Sequence, residues 1–189
     1  NPYVKTDMLS ISTIFISSYI CFLDSDDLFK SNHLEDLYTE ISNLDCPEMM
    51  LFVNHTTLTA ENENSTETLR YDQSPDYFIK NSIIPARVCI ARTIFDKYQF
   101  DPRIVIVEDS VLWTQISFYY KIIHLEKENV IYRWHDENSV NIKNNCFLPR
   151  LLGLKVLFNQ VDIKNRISRG KRNEALSNCY YGIAKHHFH

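Results

Sequence analysis

Glycine is scarce, with three residues in a chain of 189. That excludes the glycine-rich loops of P-loop and Rossmann nucleotide sites, so any nucleotide must be held by other means. The five cysteines (Cys21, Cys46, Cys89, Cys146, Cys179) include no C-x-x-C pair. Scattered and odd in number, they read as reduced thiols of a cytosolic protein, not as a disulfide frame or a zinc site. Long apolar runs are also missing. The longest uncharged stretch, residues 9–23, has fifteen residues with five Ser or Thr, too short and too polar to span a membrane. No basic leader region and no initiator Met precede it, so a signal peptide is not expected. Net charge is −4, and no basic stripe occurs before the C-terminal end. Nucleic acid is therefore not expected as a partner.

The chain is 44% hydrophobic and 13% aromatic, enough for one domain with a real core. Its most informative stretch is Tyr19-Ile20-Cys21-Phe22-Leu23-Asp24-Ser25-Asp26-Asp27-Leu28-Phe29. An apolar run ended abruptly by acids reads as a buried strand whose C-terminal end opens into a cleft. Ligands bind at that edge of open α/β sheets. Asp24 and Asp26, two apart, share a face if the strand continues. Hard oxygen donors at that spacing suit Mg2+ or Mn2+, ions that commonly carry substrate phosphates. The plainer alternative is an acidic turn that caps the next helix.

Downstream, Ser31–Leu44 has helical spacing, with Leu34, Leu37, Tyr38 and Ile41 as its apolar face. Met49–Leu58 reads as a strand, with His55 as a core or surface residue and not a ligand. Residues 59–68 form a loop or hairpin tip. Ser74-Pro75 opens a short helix. Residues 85–91 form a strand and Arg92–Tyr98 a helix. Helical spacing resumes after Glu108-Asp109, acids that a helix N-terminus favours on dipole grounds alone. Two more strands follow, Ile122–Leu125 and Val130–His135. Arg133 and His135 would share a face, suited either to a diphosphate and its metal or to a cross-strand ion pair. From Phe147 onward the chain is helical, with a break at Gly153 and a second helix over Lys171–His187. Lys164, Arg166, Arg169, Lys171 and Arg172 form a basic cluster. It reads as a solvated face, or as a contact with an anionic membrane or lipid-linked acceptor.

Three segments in order carry a resemblance: Asp24-Ser25-Asp26-Asp27; Phe100-Asp101-Pro102-Arg103-Ile104 leading to Val107-Glu108-Asp109; and Tyr132-Arg133-Trp134-His135-Asp136-Glu137-Asn138-Ser139. They resemble the D-x-D, E-D and Y-R-x-H-x-x-S segments of family 2 glycosyltransferases of the GT-A fold, with one extra residue before the serine. The resemblance implies an α/β, GT-A-like mixed sheet flanked by helices, followed by C-terminal helices. It implies a partial GT-A core over residues 1–145 and a helical extension over 146–189 packed on the same domain. The family's upstream nucleotide-binding strands and its Arg-Asn pair before the D-x-D strand have no counterpart here. The expectation is an N-terminally shortened core with the edge of Tyr19–Leu23 exposed, weak donor binding, and cover for that edge by self-association or by the first residues.

The implied activity is transfer of a sugar from a nucleotide-diphosphate donor, expected to be a UDP-sugar, to a carbohydrate or lipid-linked hydroxyl, with inversion. The implied roles are Asp109 as base, Glu108 as its orienting partner, Asp24, Asp26 and His135 as ligands of Mn2+ or Mg2+, and Asp24, Arg133 and His135 at the donor diphosphate. The location implied is cytoplasmic, with the inner membrane face as an extension of that reading. The competing expectation is a non-catalytic binding or scaffold domain that has lost the nucleotide half. A phosphohydrolase built on Asp24 and Asp26 ranks last, because Leu28 stands where its D-x-D-x-T pattern needs threonine.

Overall fold

A computed structural model describes residues 18–59, 64–67, 70–74, 76–136, 138 and 146–188. Most of the 9–23 run, Pro75, and Glu137 and Ser139 of the last segment lie outside the described residues. The chain divides into two compact units. The first takes the described residues of Asn1–Leu69, Pro85–Lys97 and Ile122–His135; the second takes those of Arg70–Ile84, Tyr98–Lys121 and Asp136–His189.

The first unit holds the sheet: β1 (Tyr19–Cys21), β2 (Leu28–Phe29), β3 (Met49–Leu58), β4 (Asn64–Glu67), β5 (Val88–Ala91) and β6 (Lys121–Arg133). The strand order is β1-β5-β3-β6-β2, with β4 paired to β3 off that path. β3 has the bounds its run of β-formers predicts, and Met49 through His55 are buried without a break. A strand covered on both faces needs no alternation of polar residues. The polar stretch after β3 returns as β4, antiparallel from His55↔Glu67 to Leu58↔Asn64. Among the described residues β1 is terminal in the order, paired only with β5.

Three local expectations change in this unit. The helix α1 (His33–Asn43) buries His33, Leu37 and Ile41, while Leu34 is 61% and Tyr38 73% exposed. Its inward stripe therefore runs i, i+4, i+8 and starts on the histidine. The two strands expected between residues 122 and 135 are one continuous β6, and His135 lies just past its end. Asn129 explains the continuity: it is 1% exposed, its carbonyl accepts from Lys30 N–H at 2.9 Å, and its Oδ1 meets His33 Nδ1 at 3.0 Å. The polar middle of the run is held by tertiary partners instead of turning away. Pro85–Arg87 is a 3-10 turn and not strand. It buries Arg87, whose Nε donates to the Val53 carbonyl at 2.6 Å. α3 (Arg92–Lys97) follows β5.

The second unit is helical: α2 (Tyr77–Lys80), α4 (Glu108–Ser117), α5 (Phe147–Asn159), α6 (Val161–Arg166) and α7 (Arg169–His187). Ile79, Ile104, Val111, Leu154, Leu157 and Ile163 are among the side chains of its core. α5 runs straight through Gly153. The glycine is there for approach, since an added Cβ would lie 2.5 Å from Val111 Cγ2. Alanine normally favours a helix interior over glycine by about 1 kcal/mol. Overpacking a stiff β-branched neighbour costs about 1–3 kcal/mol, so Gly153→Ala should lower stability on balance. Gly170, whose added Cβ would meet only Ser168 Oγ at 4.0 Å, should gain from the same change. Urea unfolding of both variants checks the contrast; equal shifts in one direction would refute it.

The basic cluster is largely engaged within its own unit. Lys171 Nζ lies 2.7 Å from Asp76 Oδ1. Arg166 donates to the Phe118 carbonyl at 2.8 Å and covers the Tyr119 ring at 5.0 Å. Arg172 donates to the carbonyls of Lys164 and Ile167. These contacts account for three of the five cations without a membrane. Among the described residues no helix is long and apolar enough to cross one.

Candidate functional site

β1 stops at Cys21, and the chain then makes a tight turn in which Asp27 N–H donates to the Asp24 carbonyl at 3.2 Å. The acids thus lie in the link between β1 and β2. Phe22 anchors the approach through an edge contact with Phe95, centroids 5.3 Å apart. Ser25 and Leu23 face out, Asp24 and Asp26 are half-buried, and Asp27 is only 3% exposed.

The end of β6 meets this turn. Asp27 Oδ1 accepts the Arg133 backbone N–H at 3.1 Å. Arg133 Nε donates to the Asp26 carbonyl, and its Nη2 approaches the Ser25 carbonyl at 3.5 Å. His135 Nε2 lies 3.1 Å from Asp26 Oδ2, with side-chain exposures of 39% and 36%. Four residues singled out from the sequence therefore share one corner: Asp24, Asp26, Arg133 and His135. Arg133 does so partly as a strut, holding the turn's carbonyls in place.

The sequence did not single out Asp27. Burial, joined by the charges of Asp24 and Asp26 and opposed by the Arg133 N–H, pushes its carboxyl up to about 7. Its Oδ2 is buried without a hydrogen-bond partner among the described residues. Tyr132, half-buried, is pushed up to about 12, first by burial and then by the charges of Asp27, Asp26 and Asp24. Burial is the larger cause of both shifts, and the neighbouring aspartate charges add a negative potential that a cation would relieve. The sequence signal for Asp27 was its place in the Asp24-Ser25-Asp26-Asp27 run.

The donors present fit a hard divalent ion: carboxylates at a partly exposed turn, one imidazole and one under-bonded carboxylate oxygen. Among the described residues no three His, Cys, Asp or Glu side chains form a ready-made metal cage. Mg2+-type sites often use one or two carboxylates and complete the shell with water and substrate phosphate.

Glu108 and Asp109 open α4 as expected, in the second unit. Asp109 is 8% exposed and its Oδ1 accepts from Ser110 N–H at 2.6 Å. Ser110 Oγ lies 2.8 Å from Ser82 Oγ. Glu108 Oε2 is buried with no hydrogen-bond partner among the described residues. Two residues earlier, Ile106 has φ 81, a strained state for a β-branched residue and of the kind that gathers at functional sites.

The fold is α/β and GT-A-like. It is similar to that of TarS 1-349 from S. aureus, a glycosyltransferase, with a TM-score of 0.55 at 14% identity. The match covers 90% of this chain and 47% of that one, so this chain spans about half the length of its structural neighbour. No family model and no curated protein matches the sequence.

Proposed function

We propose that this chain is a metal-dependent glycosyltransferase domain of the family 2 type. The observation that carries the reading is the meeting of Asp26 with Arg133 and His135, more than a hundred residues away in sequence, on a GT-A-like fold. Asp26, helped by Asp24 and His135, would hold Mn2+ or Mg2+. A divalent ion there offsets charge on a leaving diphosphate. Arg133 and His135 line the same corner, where a nucleoside diphosphate, expected to be that of a UDP-sugar, would lie. Asp109 takes the proton of an acceptor hydroxyl as the oxygen attacks the sugar's anomeric carbon from the face opposite the diphosphate, which inverts that centre. Glu108 orients that base. The acceptor would be a carbohydrate or a lipid-linked sugar.

A binding or scaffold domain without catalysis is the second reading, favoured by the missing counterpart of the family's Arg-Asn pair before the D-x-D strand. Two variants separate them. Calorimetry with a UDP-sugar should show binding that depends on Mn2+, and Asp26→Ala should weaken that dependent part by about tenfold or more, the scale on which even supporting groups act at metal sites. Asp109→Asn should bind donor normally and lose transfer. An Asp26→Ala protein that binds as the parent does removes the metal role. Normal binding with no transfer by the parent, over a panel of sugar acceptors, leaves the scaffold reading.

A further inference from the structure

Cys21 and Cys89 face each other across β1 and β5. The ladder is antiparallel, and Arg92 N–H donates to the Ser18 carbonyl at 2.8 Å. Counting along the register Tyr19↔Ala91, Ile20↔Ile90, Cys21↔Cys89, hydrogen-bonded and non-hydrogen-bonded pairs alternate from 18↔92. Cys21↔Cys89 is therefore a non-hydrogen-bonded pair. Such pairs bring Cα atoms to about 4.5 Å with side chains on one face, inside the range of about 4.4–6.8 Å that a disulfide spans. Both are free thiols; Cys89 is buried and Cys21 half-buried.

A histidine completes the corner. His33 is 2% exposed, at the start of α1, and lies stacked on Phe29 with centroids 3.9 Å apart. Asn129 Nδ2 donates to Asp36 Oδ2 at 3.2 Å. That fixes its Oδ1 as the acceptor for His33 Nδ1–H, at 3.0 Å. Nε2 is then the ring nitrogen left to accept, and His33 hydrogen-bonds the Cys21 thiol. The thiol of Cys21 is lowered, first by the hydrogen bond from Cys89 and then by His33, against its own burial. The thiol of Cys89 is raised, by its hydrogen bond to Cys21 and by burial. Cys21, the less buried of the two, is the member an oxidant reaches first, and buried Cys89 beside it is placed to resolve.

We infer that Cys21 and Cys89 form a reversible redox pair oxidised by hydroperoxides, with His33 as the positioning base. In the first step Cys21 Sγ attacks one oxygen of hydrogen peroxide. The O–O bond breaks, hydroxide leaves and is protonated to water, and Cys21 becomes a sulfenic acid. In the second step Cys89 Sγ attacks the Cys21 sulfur, the S–O bond breaks, and a second water leaves. Two thiols lose two electrons and two protons, and the peroxide is reduced to water. Exchange with an external dithiol restores the thiols. The bond would tie β1 to β5 three residues before Asp24. The inference does not depend on the transfer reaction.

The test treats the reduced, full chain with equimolar hydrogen peroxide, alkylates the remaining thiols, and maps the non-reduced digest by mass spectrometry. The expected product is a Cys21–Cys89 cross-linked peptide pair, two hydrogens lighter than the sum of its parts and lost on dithiothreitol treatment. Cys46, though exposed, should stay alkylated. In Cys89→Ser, dimedone should label Cys21 as its sulfenic acid, and His33→Gln should slow that labelling by about a hundredfold, the low end of what a positioned base supplies. Oxidation of Cys46 or Cys146 ahead of Cys21 in the parent would overturn the inference, whatever the variants do. So would a Cys89→Ser protein whose Cys21 takes no label.

Discussion

Trp113→Ala is expected to cost about 3–5 kcal/mol, the range for truncating a buried tryptophan or phenylalanine. Trp113 is fully buried on α4. Its Nε1–H donates to the Ile83 carbonyl at 3.0 Å, and Phe100 meets it edge-on at 5.8 Å between centroids. Truncation would open a cavity the size of an indole and leave the Ile83 carbonyl buried without its donor. Trp113→Phe separates the two effects. It keeps most of the packing and loses the hydrogen bond, and should cost about 1–3 kcal/mol. Urea unfolding followed by circular dichroism measures both. An alanine variant within about 1 kcal/mol of the parent would mean that α4 is not anchored through this ring.

Acidification should destabilise the first unit through His55. The side chain is 5% exposed on β3, and its ring is lowered to about 4 by burial, with the Arg87 cation adding to the effect. His124 shifts in the same direction, through burial and then Arg87, opposed by Glu126. It stacks on Phe52 at 4.5 Å and lies 2.8 Å from Asn54 Oδ1 through Nε2. An unfolded histidine titrates near 6.5. Between pH 6.5 and about 4 the unfolded chain takes up a proton that folded His55 refuses. Stability is thus complete above pH 6.5 and is lost as pH falls toward 4. For His55 the loss is on the order of 2–3 kcal/mol at about 1.4 kcal/mol per pH unit, trimmed for water reaching the ring. Carboxylates also titrate in that window, so the decisive quantity is a difference. The drop in unfolding free energy from pH 7 to pH 4.5 should be smaller in His55→Gln than in the parent. Equal drops would show that His55 takes its proton while folded.

The sequence disclosed best what local chemistry decides. β3 emerged with its bounds because a ten-residue run rich in β-formers leaves few options. α4 emerged because acids at its start and apolar spacing agree. Burial was harder, since it depends on distant partners. Leu34 and Tyr38 sit on a helix but meet no core, while polar His33 does. Gly153 reads as a breaker until Val111 is known to press against it. Arg87 looks like a surface cation until Val53 supplies a buried acceptor. The corner of Asp26, Arg133 and His135 was legible only through motif order, because nothing local links residues so far apart. The opposed thiols were invisible for the same reason, strand register being a property of the folded sheet.

β1 and β2 stand at opposite ends of the strand order, yet only residues 22–27 join them. Surface connections usually tolerate extra residues well. This one has fixed ends, and β2 has just two residues in register, Leu28↔Ile131 and Phe29↔Val130. An insertion in the turn would slip that register by one and reverse which side chain faces inward. Phe29 would then leave the His33 ring. The length of the acidic link is therefore as constrained as its composition, and a longer or shorter version would alter the carboxylate corner and the thiol corner together.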